Sequence, residues 1–265
     1  MNPETSDSLD GGLVLYEGPT QIPGQRGNVA LIVTGIGGKN RTRNRKTGDE
    51  PQAWIIPIDQ GEMNAAVRDG REGSACGECI PRPALGGACY VTIAWGPQRV
   101  WYTYAHDRYS RPSVAAVQEA FRGGSIRWGA WGDPAAIPVE VYRPYLDVLD
   151  CWQGYTQQWG HLDVNEWGWL MASVNNPEEA AVASAKGWRY FRVRADAHDP
   201  LRPEELVCPA SAEAEYRLTC LVCRQCDGLR RKGRKRPSVA IVAHGYRRGA
   251  IRQLRQYKLP FGEDP

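Results

Sequence analysis

Seven of the eight cysteines of this chain fall into two closely spaced groups. The first group consists of Cys76, Cys79 and Cys89, and the second of Cys208, Cys220, Cys223 and Cys226. Three pairs within these groups are separated by two residues, and a tight loop then turns both sulfur atoms toward one metal ion or one iron–sulfur cluster. The sequence therefore predicts a metalloprotein with these seven cysteines as ligands.

The two groups predict different kinds of site. The four thiolates of the second group either close a tetrahedral zinc site or hold a [4Fe–4S] cluster. The successive two-residue gaps from Cys220 to Cys226 resemble the start of a ferredoxin-like ligand run and favour iron. The three thiolates of the first group leave one iron open to a small molecule, unless His106, solvent or a carboxylate completes a structural site. The eighth cysteine, Cys151, has no partner in the sequence and is interpreted as a core thiol.

Two further residues are candidates for catalytic roles. Asp133, in Gly132-Asp133-Pro134, follows a predicted strand, where its carboxylate could bind a substrate amine or act as a base. The alternative is an N-cap that accepts hydrogen bonds from free backbone amides. His244 ends the last predicted strand and is either bonded to the backbone or serves as an acid, a base or a ligand.

Short strands alternate with helices along the chain, which predicts an α/β fold with a parallel sheet. The predicted strands are residues 29–33, 53–57, 91–95, 125–131, 152–159, 167–174, 188–194, 205–208 and 238–243. The predicted helices are residues 113–121, 138–148 and 177–186, with Ser113 and Asn176 as N-caps. We expect a partial or complete TIM-like (β/α) barrel with cysteine-rich metal-binding loops.

In such a barrel the carboxyl ends of the strands share one face, and that face carries the site. The residues predicted to lie there are Asp133, Gln157, Gln158, Ser173, Arg194, Cys208 and His244. We expect one domain over residues 1–265, with residues 1–12 disordered and residues 208–236 forming a cysteine-rich, basic loop region.

The composition favours a cytoplasmic protein. No apolar run approaches the roughly 20 residues needed to cross a bilayer, and the acidic, polar N-terminus is unlike a secretory signal. In the cytosol thiols stay reduced, so paired cysteines are metal ligands more often than disulfides. We therefore expect no membrane partner.

Two basic segments raise the question of a nucleic-acid partner. They are residues 39–46 and residues 229–236, and each concentrates lysines and arginines that could neutralise phosphates. A solvated loop is the alternative for each segment. The net charge of +3 is by itself too small to decide between them.

Several short motifs together resemble the phage "gene product eighty-eight" domain family, which is carried by bacteriophages and related mobile elements. The matching segments are residues 46–49, 76–79, 89–91, 132–138, 154–156 with 158–159, 171–174, 187–189 with 191–193, 208–211, 219–220 onward and 243–245. The resemblance covers most of the chain and implies a phage protein in the host-cell cytoplasm.

A more distant resemblance is to radical S-adenosylmethionine enzymes. Gly132-Asp133-Pro134 is similar to the Gly-Glu-Pro strand-end motif that meets the amino group of the cosubstrate in that family. The resemblance implies a [4Fe–4S] cluster on the first cysteine group and S-adenosylmethionine bound by this motif. Ser173 and Arg194, from their predicted place at the strand ends, are further candidates for binding the cofactor. The chain departs from the family pattern in its cysteine spacing, two residues and then nine, and in its Asp in place of Glu.

The leading hypothesis is therefore a phage iron–sulfur protein with a radical-enzyme-like barrel, in which one electron delivered to an open cluster cleaves a bound sulfonium. The alternative is a non-enzymatic protein, stabilised by zinc or a cluster, that binds nucleic acid during phage replication or regulation. A third hypothesis is electron transfer to a redox partner through an exposed cluster.

Overall fold

A computed structural model describes residues 9, 11–36, 45–87, 89–229 and 236–243. The strands in these residues are β1 Gly12–Pro19, β2 Asn28–Thr34, β3 Gln52–Pro57, β4 Ser125–Trp131, β5 Cys151–Thr156, β6 Met171–Val174, β7 Tyr190–Arg194, β8 Glu205–Val207 and β9 Ser238–Val242. They form one sheet in the order β1-β2-β3-β4-β5-β6-β7-β9-β8. The predicted α/β class is confirmed.

The helices are α1 Met63–Arg68, α2 Gly73–Cys76, α3 Gly96–Ala105, α4 Val114–Phe121, α5 Val139–Leu146, α6 Val164–Trp167, α7 Pro177–Ala185 and α8 Cys220–Cys223. The three predicted helices correspond to α4, α5 and α7. Both predicted N-caps are confirmed, because Ser113 accepts a hydrogen bond from the Ala116 amide and Asn176 accepts one from the Glu179 amide. Among the described helices, none has the length and apolar character that crossing a bilayer requires.

The sheet combines an antiparallel edge with a parallel body. β1, β2 and β3 pair antiparallel, and every pairing from β3 to β8 is parallel. Residues 29–33 of β2 are all fully buried, as expected for an apolar run covered on both faces. The sheet is open, with β1 and β8 at its edges, so the complete form of the predicted barrel is not formed.

The order of the parallel strands directs the helices to one face of the sheet. β3 to β7 lie in chain order, and right-handed crossovers between such strands all fall on the same side. Trp128 of β4 is buried on that side, where its ring meets Tyr142 of α5 edge-on at a centroid distance of 5.1 Å. The opposite face is therefore left to the cysteine loops and to a cleft.

Three strand predictions need correction. The strand predicted over residues 152–159 ends at Thr156, and Trp159 begins a short helical turn. Residues 91–95 form turns rather than a strand, because they lead directly into α3, whose first turn contains Pro97. A proline at this position presets the backbone angle φ for a helix. Residues 167–174 form a strand only from Met171, since α6 ends at Trp167 and a turn separates the two elements.

Buried ion pairs hold the last strands together. Arg192 of β7 reaches over β9 to Glu205 of β8, where Nε–Oε1 is 2.6 Å and Nη2–Oε2 is 2.7 Å. Both side chains are at most 1% exposed. Nearby, Arg189 binds Asp227 at 3.2 Å and the Gln225 carbonyl at 2.7 Å, which fastens the segment after the second cysteine group to the sheet.

We predict that Glu205→Gln lowers the free energy of unfolding by about 2 kcal/mol, because it removes the bidentate carboxylate of the buried Arg192 guanidinium and leaves only the ion pair with Asp199 at 3.3 Å. Urea unfolding of the wild type and the variant measures this. The matched control is Glu119→Gln, whose partner Arg122 is exposed on α4. We expect this control to lose less than about 1 kcal/mol. Equal losses in the two variants would contradict the assignment.

Candidate functional site

The face of the sheet opposite the helices forms the floor of a large cleft. Alternate residues of β4, β5 and β7 line it, among them Arg127, Trp131, Gln153, Tyr155, Phe191 and Val193. The cleft has an empty volume of about 1310 Å³, its open mouth included. Cys76, Cys79 and Cys89 line its wall, so the structure brings the first cysteine group to the cleft as a unit.

Local turns bring these three cysteines together. Cys76 ends α2, and the Cys79 amide donates to the Cys76 carbonyl at 3.1 Å, which closes a tight turn. Gly77 between them has φ of 55°, and a Cβ there would lie 2.7 Å from Gln158, so this position favours glycine. The Cys89 amide donates to the Pro81 carbonyl at 2.8 Å, which returns the chain to the same wall.

Burial and mutual proximity control the electrostatics of this group. Burial raises the pKa of the Cys76 and Cys79 thiols well above the ordinary value, and the negative charge of Cys89 raises both further. Arg82, held by Glu72 at 2.9 Å, opposes the shift only in part. A bound cation would supply the missing positive charge and favour the thiolates.

The Gly132-Asp133 strand end touches the first cysteine loop directly. The Asp133 amide donates to the carbonyl of Ala75, the residue before Cys76, at 2.7 Å. The Asp133 carboxylate accepts from the Ala135 amide at 3.0 Å and from the Gln157 amide at 2.7 Å. The N-cap interpretation is therefore confirmed. Burial raises the pKa of Asp133 to about 6.

The remaining predicted cofactor-binding residues separate into two sets. Ser173 lines the cleft with Gly132 and Asp133, and its hydroxyl accepts from Gln157 Nε2 at 2.9 Å. Pro134 is buried in the short helical turn that Asp133 caps. Arg194 does not line the cleft; it is buried elsewhere, donates to the Asp199 carbonyl at 2.7 Å and pairs with Glu213. The structure thus does not bring Arg194 to the predicted site.

The second cysteine group lines a separate, smaller pocket. Cys208, Cys220, Cys223 and Cys226 all line it, and so does Cys151. Burial raises the pKa of Cys220 to about 11 and that of Cys226 still higher, and the charges of neighbouring cysteines of the group add to both shifts. The two groups therefore occupy different pockets.

Three residues, Lys46, Gln153 and Tyr155, line both pockets and form the wall between them. The Lys46 carbonyl accepts from the Cys220 amide at 2.8 Å. Burial raises the pKa of Tyr155 well above its ordinary value, and the negative charges of Cys226 and Cys220 raise it further. Gln153 donates from its amide to the carboxylate of Glu50, which lines the smaller pocket. We call these three residues the shared wall.

Metal ligation stays a prediction. All eight cysteines lie in the described residues and none is disulfide-bonded. Within the described part of the chain, no group of three or more His, Cys, Asp or Glu side chains is arranged to hold a metal ion. The cysteines thus share pockets without a coordination geometry. His106 is exposed and bonds to the Tyr102 carbonyl at 2.8 Å, outside the cleft, and His244 lies outside the described residues.

The basic segments are described only at their ends. Residues 39–44 and 230–235 lie outside the described residues. The Arg45 guanidinium lies 4.3 Å from the centroid of the Tyr216 ring, and Arg236 pairs with Asp227. The described ends therefore make contacts within the protein.

No protein-family model matches the chain, and the curated proteins and solved structures contain none that matches it. The two resemblances drawn from the sequence therefore stay predictions. The geometry of the cleft is therefore the basis for inferring the function.

Sequence reasoning missed the shared wall and its neighbours Glu50 and Arg127. A signal for part of this set was present, because Gln153, Tyr155 and Gln157 alternate along one strand and must share a face. Glu50 and Lys46 carry no such signal, since the loop before β3 reaches the second cysteine group only in the folded chain.

Glu50 predicts a specific dependence of stability on pH. Burial raises its pKa from the ordinary 4.5 to about 7, so the folded state binds the proton more tightly than the unfolded state. Stability from this group is then present below pH 4.5 and is lost as the pH rises to about 7. We predict that the unfolding free energy of the wild type, relative to Glu50→Gln, falls by about 3 kcal/mol across this interval.

Urea unfolding at several pH values between 4.5 and 7.5 measures the difference. Glu50→Gln keeps an oxygen that can accept from Gln153 and removes the titration. The control Glu119→Gln, at an exposed position, should run parallel to the wild type. If the unfolding free energies of the wild type and of Glu50→Gln changed with pH in the same way, the raised pKa of Glu50 would be contradicted.

Proposed function

We propose that the chain is a cytoplasmic iron–sulfur protein of a bacteriophage or related mobile element, with a partial barrel and radical or redox chemistry like that of radical S-adenosylmethionine enzymes. The observation that carries the proposal is the 2.7 Å hydrogen bond from the Asp133 amide to Ala75, which joins the strand-end motif to the first cysteine loop inside one cleft. In the family that the sequence resembles, a strand-end motif of this kind meets the cosubstrate beside the cluster.

The winding of the sheet supports the partial barrel. Strands in chain order with helices on one face are the arrangement from which a closed (β/α) barrel is built. Here the antiparallel strands β1 and β2 continue the sheet beyond β3. The open side leaves the cleft accessible to a larger substrate than a packed barrel interior admits.

The chemistry of the seven thiols, which line two pockets, supports the proposed groups. Cys76, Cys79 and Cys89 would hold a [4Fe–4S] cluster with one open iron, which when bound supplies the electron that cleaves a sulfonium. Cys208, Cys220, Cys223 and Cys226 would hold a second cluster or zinc. Burial and the neighbouring cysteines raise the pKa of these thiols. A multiply charged cation would lower the pKa again, because it stabilises the thiolate form.

The other cleft residues position a ligand and exclude water. The Asp133 carboxylate accepts hydrogen bonds from two backbone amides, so it fixes the strand end instead of abstracting a proton. The Ser173 hydroxyl and the Gln157 amide present hydrogen-bonding groups at the neighbouring strand ends. Trp131 and Phe191 add apolar surface that keeps solvent from reactive species.

The described contacts favour this function over nucleic-acid binding. Lys46 lines the two cysteine pockets, Arg45 lies over Tyr216 and Arg236 pairs with Asp227, so these cations are engaged within the protein. The alternative function is a nucleic-acid-binding protein stabilised by zinc, in which the basic segments 39–46 and 229–236 contact phosphates. The reconstitution experiment distinguishes the two functions.

We predict that anaerobic reconstitution gives a brown protein with about eight iron atoms per chain. The double variant Cys76→Ser/Cys79→Ser should retain about four and lose reductive cleavage of S-adenosylmethionine. Cys223→Ser/Cys226→Ser should also retain about four, from the first group. Elemental analysis, the visible spectrum and product chromatography provide the measurements.

Cys151→Ser is the matched control, because this thiol also lines the second pocket but is assigned no ligand role. It should keep the full iron content. A colourless wild type containing zinc, with a salt-sensitive shift of labelled DNA or RNA, would replace the proposal by the binding function. Iron content without cleavage would leave electron transfer to a redox partner as the remaining activity.

A further inference from the structure

Arg127 reaches into the cleft between the two cysteine groups. It lies on the floor, near the amino end of β4, and its Nη2 donates to the hydroxyl of Tyr90, the residue after Cys89. Its Nε is buried and donates to no described group. A buried N–H without an acceptor is costly, so this donor marks a position that a ligand's acceptor atom would satisfy.

The charge of Arg127 is also uncompensated at short range. Three other arginines with buried partners, Arg82, Arg189 and Arg192, each form an ion pair with a carboxylate. Within the described chain Arg127 forms no such pair. Glu50 acts on it only through space and is itself bonded to Gln153. A guanidinium presented in this way is suited to a carboxylate or a phosphate, which it can bind through two parallel hydrogen bonds.

The surroundings of Arg127 favour a ligand with an apolar or planar body. Tyr155 and Phe191 lie on the same floor with ring centroids 4.7 Å apart, and Lys46 adds a second cation to the cleft lining. Six positions separate Arg127 from Asp133, which along a strand is up to roughly 20 Å. Arg127 lies near the amino end of β4 and Asp133 just beyond its carboxyl end, so the two positions can hold different molecules.

We propose that Arg127 binds the anionic group, a carboxylate or a phosphate, of the second molecule on which the cleft acts, with the Tyr90 hydroxyl holding the guanidinium in place. This inference rests on the proposed function only in taking the cleft as the reaction site. It names the substrate class: a small anion whose apolar part lies against Tyr155 and Phe191.

The test is a calorimetric titration of the reconstituted full chain with two probes, inorganic phosphate and malonate. We expect the wild type to bind at least one probe, Arg127→Gln to bind it at least about ten-fold more weakly, and Arg127→Lys to fall between them. Tyr90→Phe keeps the charge and should weaken binding by a smaller factor. The control Arg122→Gln removes an exposed arginine at the end of α4, outside the cleft lining, and should equal the wild type.

Tighter binding of phosphate would identify a phosphate ester as the substrate class, and tighter binding of malonate a carboxylate. Equal affinities of the wild type, Arg127→Gln and Tyr90→Phe for both probes would overturn the inference. If Arg127→Gln fails to fold, the affinities of Arg127→Lys and Tyr90→Phe test the inference. Values equal to the wild type for both probes would again overturn it. Iron content and S-adenosylmethionine cleavage are measured on the same samples, so loss of anion binding with cleavage intact removes this inference alone.

Discussion

The close approach of β4 to β3 at Gly132 is the constraint on which the cleft depends. Gly132 has φ of 81°, and a Cβ there would lie 2.3 Å from the Ile55 carbonyl oxygen, so no other residue fits without moving a strand. This approach puts the Asp133 amide on Ala75 and thereby joins the first cysteine loop to the sheet. The strand end and the cysteines keep one geometry because a backbone contact, and no flexible side chain, connects them.

The cleft and the smaller pocket together contain more buried ionisable groups than their internal charges can stabilise. Burial raises the pKa of Asp133, of Glu50 and of the cysteines in both pockets, so each of these groups favours its neutral form. Arg127 and Lys46 provide positive charge on the cleft lining. In the proposed function, cationic clusters in the two pockets would stabilise the thiolates. An anionic ligand would pair with the Arg127 guanidinium, so that neither kind of charge is buried without a partner.

Local sequence signals predicted the parts of the fold that local physics determines. Ser113 and Asn176 begin helices because their side chains accept from amides three residues on, and apolar runs of β-branched residues gave most of the parallel strands. Residues 91–95 have the same apolar character, yet they lead into α3, because the glycine and proline at its start impose a helical turn that outweighs strand propensity. Whether the sheet closes depends on which strands lie at its edges, and no window of sequence contains that information.

The site, too, has parts that the local sequence predicts and parts that only the tertiary fold creates. Spacing was sufficient to group the cysteines, because two intervening residues make a turn that local geometry completes. The shared wall required the tertiary fold, because Lys46 precedes β3 while Gln153 and Tyr155 lie on β5, and only the folded chain places all three in the lining of both pockets. The charges of Cys226 and Cys220 act on Tyr155, whose side chain also lines the cleft. The two cysteine groups therefore occupy separate pockets that share one wall.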